Sequence, residues 1–355
     1  MAAYTTIDDP ELYFQTKLYA GNGSNGHAIT FDGSENMQPD WVWIKARNSN
    51  SHRLTDSVRG ATKVLYSDLN YAEVTDADTI QSFDTDGFTI DDDADTNGSG
   101  INFVAWNWKA GTSVSGTTGG SGTSKSYSGS VNTTSGFSII AYVGNGTAGH
   151  TIPHHLGAVP QVMLLKGRDQ TENWTVYHVG LTSNNYALRL NEVNAEFSQT
   201  LSWNNTTPTS SVFTVGGGAG TSDYTNRDGT NMIAYCFAEK KGYSKFGSYT
   251  GNGNNDGAFI YTGFKPAMVI YKKTNGNENW FIHDNKRQGF NPENELLFPD
   301  LSNAEGTVNR IDLLSNGFKA RTSDGGINGS GDTYIFMAFA ESPFVNSNGI
   351  PTTAR

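Results

Sequence analysis

A single cysteine, Cys236, stands among 355 residues, so no internal disulfide can form and the fold cannot rest on an oxidising compartment. It lies inside an apolar run and reads as a buried structural thiol. Charge is scarce too. Asp, Glu, Lys and Arg make up 17% of the chain, with 35 acids against 24 bases and a net charge of −11. That balance argues against a nucleic-acid partner, because phosphate contacts need a basic surface. No apolar run reaches membrane-spanning length, so no membrane insertion is expected. The first residues lack a basic region followed by an apolar stretch, so no signal peptide is expected and the chain should fold in a cytoplasm. No segment keeps an amphipathic helical period over enough residues for a long helix.

What is abundant completes the picture. Glycine occurs 41 times, and aromatic residues supply 12% of a chain that is only 36% hydrophobic. Burial is thereby concentrated in large side chains between frequent turns, the pattern of an all-β protein. Short, nearly continuous apolar segments such as Trp41-Val42-Trp43-Ile44, Val162-Met163-Leu164-Leu165 and Met268-Val269-Ile270-Tyr271 read as strands covered on both faces. Asp86-Gly87-Phe88 and Asn316-Gly317-Phe318 place a turn dipeptide before a strand. Short helix is expected at most around 56–59 or 70–76.

One phrase returns three times, as Tyr19-Ala20-Gly21-Asn22-Gly23, Tyr142-Val143-Gly144-Asn145-Gly146 and Tyr249-Thr250-Gly251-Asn252-Gly253. Each copy leads to a Pro followed six residues later by a Lys: Pro39 and Lys45, Pro160 and Lys166, Pro266 and Lys272. Gly100, Gly229 and Gly331 each precede an apolar run that ends eight residues on, at Trp108, Phe237 and Phe339. At even offsets between them stand Val104 and Trp106, Ile233 and Tyr235, Ile335 and Met337. Three landmarks in one order imply internal triplication. The expected architecture is three tandem β-sandwich units of jelly-roll type, over residues 15–110, 127–243 and 244–346. A lead or anchor occupies 1–14 and a tail 347–355. The Gly/Ser/Thr stretch 111–126 reads as a flexible linker.

Candidate sites each face a plainer reading. Trp174 and Trp280 are candidate ligand-binding platforms for sugars, but their matching repeat positions favour shared core packing. Asp84, Asp86 and Asp91 are candidate Ca²⁺ ligands in an acidic stretch that lacks the spacing of the helical calcium loop, so a solvated turn is favoured and no cofactor is expected. His27 and His150 follow Gly-Asn-Gly at one position, and the adjacent His154 and His155 point apart on a strand. Gly216-Gly217-Gly218 lacks the helix and Lys-Ser/Thr of a phosphate cradle. Glu293 and Glu295 lie in a Pro/Asn loop with no reason to act as a catalytic pair. No catalytic constellation emerges, and the chain is not expected to be an enzyme.

Several phrases resemble a repeat of tailed-bacteriophage structural proteins, familiar among phages of marine bacteria and cyanobacteria. They include 136–149 with Leu156-Gly157-Ala158-Val159-Pro160, Pro39–Lys45, Asp56–Gly60, Phe103–Lys109, Tyr261–Phe264 and Tyr334–Phe344. The resemblance implies concanavalin-lectin-like jelly-roll sandwiches in a virion structural protein, often labelled tail fibre, with no catalytic residues to carry over. The expected role is a tail-associated fibre or spike component located in the virion. Its expected partners are other virion proteins and a host-surface glycan, with host attachment strengthened by homo-oligomers, a trimer by analogy. A capsid decoration protein is the alternative, and a polysaccharide depolymerase is less favoured.

Overall fold

A computed structural model describes residues 4–217 and 225–353. Gly218, residues 1–3 of the lead and residues 354–355 of the tail lie outside the described residues. The chain is all-β, and every strand pairing is antiparallel. The only helices among the described residues are the short turns Pro10–Leu12, Ala94–Asn97 and Thr200–Trp203. Neither 56–59 nor 70–76 is helical: the Asp56 carboxylate caps a tight turn in the first by accepting from the N–H groups of Val58 and Arg59, and Val74–Thr75 in the second pairs as a short strand with Lys63–Val64.

The larger sheets fall into three face-to-face pairs. In the first, the inner sheet runs Phe14–Ala20, Asn102–Trp108, Trp41–Ala46, Arg53–Asp56. Its outer sheet runs His27–Thr30, Gly87–Ile90, Ile80–Asp84. The third pair repeats the inner order with Ser244–Thr250, Thr333–Pro343, Phe264–Lys273 and Trp280–Asp284. Its outer sheet is Phe259–Tyr261, Gly317–Ala320, Gly306–Leu314, Glu293–Leu296. The second has Phe137–Val143, Asn231–Phe237, Val162–Gly167 and Thr175–His178, widened by Ser126–Asn132 and Thr112–Thr117. Gly119–Gly120, His150–Pro153 and Val212–Val215 form its outer sheet.

The strand Thr112–Thr117 corrects the linker expected at 111–126. Thr112 through Thr117 pair in register with Val131 through Ser126. A ladder is made by backbone groups, which Gly, Ser and Thr supply as well as any residue; the stretch lacks apolar side chains because this edge strand is exposed along most of its length.

Each inner sheet is buried on both faces, which accounts for its continuous apolar strands. One face packs on the outer sheet of its own pair. Phe103 and Ala105 do so in the first, Met232, Ala234 and Cys236 in the second, Phe336 and Ala338 in the third. The other face meets the other two inner sheets in one shared cluster, where the even-offset residues project. There Trp108, Phe237 and Phe339 close a triangle with ring centroids 6.4, 5.6 and 5.7 Å apart. The sandwiches therefore share a core instead of hanging as separate beads. The lead joins it: Ile7 is buried in the shared cluster, and Asp8 accepts hydrogen bonds from the N–H (2.6 Å) and hydroxyl (2.5 Å) of Ser347 in the tail.

Candidate functional site

The thrice-repeated phrase builds a loop clamp. Its first Gly lies against another loop's backbone: a Cβ on Gly21, Gly144 or Gly251 would stand 2.2, 2.2 or 2.3 Å from a carbonyl oxygen. Its Asn N–H donates to the side-chain oxygen of Asn97, Asn226 or Asn328, at 2.9, 2.9 and 3.0 Å, and all three of those clamping residues are fully buried. The Tyr hydroxyl donates to the carbonyl just before the clamping Asn, at Thr96, Thr225 and Ile327. His27 and His150 place Nδ1 2.8 and 3.0 Å from Asn97 and Asn226 Oδ1. Gly-Asn-Gly is thus spent on joining loops.

A second triplicated device joins the sandwiches. Trp174 Nε1 donates to Tyr66 O of the first sandwich at 2.7 Å, and Trp280 Nε1 to Arg189 O of the second at 2.9 Å. His52 holds the matching place in the first. Trp43 Nε1 donates to its Nδ1 (2.7 Å), so Nε2 carries the proton and donates to Phe298 O of the third at 2.9 Å. Beside each stands the Lys that closes the apolar run. Lys45 bonds Ala46 O, Ser49 O and Ser302 O; Lys166 bonds Gly167 O, Gln170 O and Asn70 O; Lys272 bonds Lys273 O and Val193 O. Every one reaches across to the same neighbour as the adjacent ring. The contacts run first to third, second to first and third to second, a closed ring. Burial lowers all three ammonium pKa values to about 8.

Charged clusters reinforce two of the three junctions. Between first and second, Arg59 contacts Asp56 and, at 3.1 Å, Glu73, which also takes Arg168 at 2.8 Å. Tyr235 of the second sandwich donates to Asp56 at 2.6 Å. Between third and first, Arg287 contacts Asp284 at 2.7 Å and Glu305 at 3.3 Å, while Arg47 holds Glu305 and Glu295 at 2.7 and 2.9 Å. Trp106 Nε1 donates to Asp284 at 3.1 Å. Glu293, buried beside this group with Oε1 unpartnered, is pushed up to about 8, chiefly by desolvation and then by Asp284. At the junction of second and third, the corresponding strand and turn positions carry His178 and Leu181. His178 donates to Phe336 O at 3.1 Å.

The residues nominated from sequence scatter. Trp174 and Trp280 are 0% and 2% exposed, so they cannot serve as sugar platforms; their flat faces are consumed by the shared core. Asp84 accepts from Ser82 and Thr89, Asp86 from Met37 N, and Asp91 enters the Asn97 clamp through its backbone carbonyl. No group of three or more His, Cys, Asp or Glu side chains is arranged to hold a metal among the described residues. Cys236 is buried, and its thiol is pushed up to about 12 by desolvation. Asp40 opens onto a surface cleft, yet its carboxylate takes Ser57 Oγ (2.6 Å), Ala110 N (2.9 Å) and Ser130 Oγ (3.4 Å).

Sequence reasoning missed the outer edge strand of the third sandwich. Phe259 and Tyr261 there are 47% and 54% exposed, on one face two residues apart. Their signal was an alternating aromatic pair at a repeat position that is small or polar in the other two copies. Beside them, Lys319 pairs with Asp256 at 2.5 Å and Arg321 with Asp312 at 3.3 Å.

Neither a curated protein nor a solved structure matches this chain. A family model described as a domain of unknown function, DUF7483, matches residues 9–343, so the match spans all three sandwiches and the chain belongs to that family.

Proposed function

We propose that this chain is a structural protein of a tailed-bacteriophage particle, a tail-associated fibre or spike component that presents rigid faces to the host surface. The observation that carries this reading is where the buried polar groups are spent. Three lysines, three ring N–H groups and two ion clusters, the latter through Arg168 on Glu73 and Arg47 on Glu305, join one sandwich to the next. Such an investment suits a scaffold that must hold its shape under load, with contact made by outer loops and edges. The phrases shared with phage structural repeats, above all 136–149 and Tyr334–Phe344, point the same way. Several copies per particle would multiply a weak surface contact.

A capsid decoration protein is the second reading. The docking of residues 4–14 on the body favours it: Tyr4 donates to Gly263 O at 2.8 Å and Ile7 is buried, so this segment adds to a closed body of the kind that covers a shell. Cryo-electron microscopy of the whole particle tests both. Density for the three-sandwich body at the tail, in a dozen or so copies, is expected; hundreds of copies on the shell would select decoration, and absence from the particle would sink both.

A further inference from the structure

The three sandwiches provide an internal control for the surface. At one place in the outer sheet, on the strand paired with the one that carries Phe88, Phe213 or Phe318, the first has Ala28 and Thr30 and the second Thr151 and Pro153, the second copy adding the short strand Gly119–Gly120 outside it. The third has Phe259 and Tyr261. The same fold is thus built twice without aromatic side chains here, and packing does not require them. Leaving two large rings half in water is unfavourable unless something covers them.

We propose that Phe259 and Tyr261 form a stacking platform for an uncharged polysaccharide chain, an inference that rests on the host-surface reading above. Three observations select this occupant. The rings share one strand face and stand about 7 Å apart along it, a spacing that lets neighbouring sugar rings each meet an apolar surface. The flanking strand charges cancel in pairs, Lys319 with Asp256 and Arg321 with Asp312, and the Lys241 ammonium at the rim is stacked over the Tyr4 ring, 4.4 Å from its centroid, in a chain of net charge −11. The open aromatic surface is also small. With roughly 150–250 Å² per ring about half exposed, the platform offers about 200 Å², against about 800 Å² per partner for a stable protein interface. A second copy of this chain is a poor fit, whereas one or two pyranose rings match. Tyr4 places its hydroxyl 3.3 Å from that of Tyr261, adding a polar rim.

The test uses the full chain with cellohexaose and maltohexaose as neutral probes and hyaluronate as the acidic one, followed by titration calorimetry. The informative variant is F259A/Y261T, which installs the first sandwich's own residues and so keeps the fold. Millimolar binding of at least one neutral probe is expected, weakened at least tenfold in the variant, with hyaluronate bound more weakly. Equal affinity in the variant would remove the platform while leaving glycan contact elsewhere intact. Preference for hyaluronate would overturn the uncharged assignment, and no binding of either neutral probe would overturn the platform itself. Location in the particle, read separately by microscopy, decides the virion reading whatever this titration shows.

Discussion

The junction of third and first sandwiches and the junction of second and third do the same job with different chemistry. Both use a buried ring N–H and a buried Lys aimed at the neighbour's backbone carbonyls. Both also add backbone bonds, Glu305 N to Arg47 O at 2.8 Å in the former, Glu196 N to Thr274 O at 2.9 Å and Glu278 N to Val193 O at 2.8 Å in the latter. Only the former adds Asp284, Arg287, Glu305, Arg47 and Glu295. Backbone-directed bonds therefore define the junction, and the ion cluster is an addition that one copy dispenses with. This agrees with the general weakness of buried ion pairs as net stabilisers and the high cost of leaving half of one behind.

Breaking the charged junction gives the largest expected effect. Arg287→Leu, which imports the residue of the uncharged junction, strands the buried Asp284 and should cost about 3–5 kcal/mol in denaturant unfolding. Asp284→Asn/Arg287→Leu removes the stranded charge and should be less destabilised than the single variant; a double variant as unstable as the single would show that the pair itself, not its orphan, carries the energy. Next come the lysines. Lys272→Met takes the ammonium donor from Lys273 O and Val193 O, the latter keeping the Glu278 N–H, and should cost about 1–3 kcal/mol. Lys45→Met, with three carbonyls to abandon, should cost more, and the reverse order would unseat the carbonyl-capping account.

The charged junction also responds to pH. The Glu293 pKa of about 8, against an ordinary 4.5, means the folded state keeps a proton that the unfolded chain releases. Its contribution is complete below pH 4.5 and is lost as pH rises through 8. Asp300, pushed up to about 7 by desolvation, acts in the same direction. Glu293→Gln should raise the Tm at pH 8 relative to wild type and flatten the profile from pH 5 to 8; an unchanged slope would place the titration elsewhere. The smallest effect belongs to the surface. Ala28→Phe/Thr30→Tyr, copying the third sandwich onto the first, should change stability by no more than about 0.5 kcal/mol in the same assay.

Much of the fold was legible from particular residues. The even-offset sets ending at Trp108, Phe237 and Phe339 mark one face of a strand, and that face is the one that meets the shared core. The continuous apolar runs 41–44, 162–165 and 268–271 signalled burial on both sides, as found. The stretch 111–126 misled because composition reports side chains, whereas the ladder at Thr112–Thr117 is held by backbone. Trp174 and Trp280 were open to two readings because a strand pattern does not say which neighbour lies beyond the sheet. The closing lysines stood out as a pattern without a task, since beside its local acceptors each also bonds a carbonyl more than 70 residues away on another sandwich.

Periodicity and turn chemistry in the chain are local, so the sequence by itself determined the β class, the strand faces and the thrice-used Gly-Asn-Gly turn, whose positive φ at Gly23, Gly146 and Gly253 needs glycine. Tertiary structure alone decided which carbonyl each buried Lys and ring N–H would reach, which junctions would carry ions, and that Phe259 and Tyr261 would face water. Those outcomes depend on distances between remote segments, and desolvation sets their energies only once the sandwiches have closed on one another.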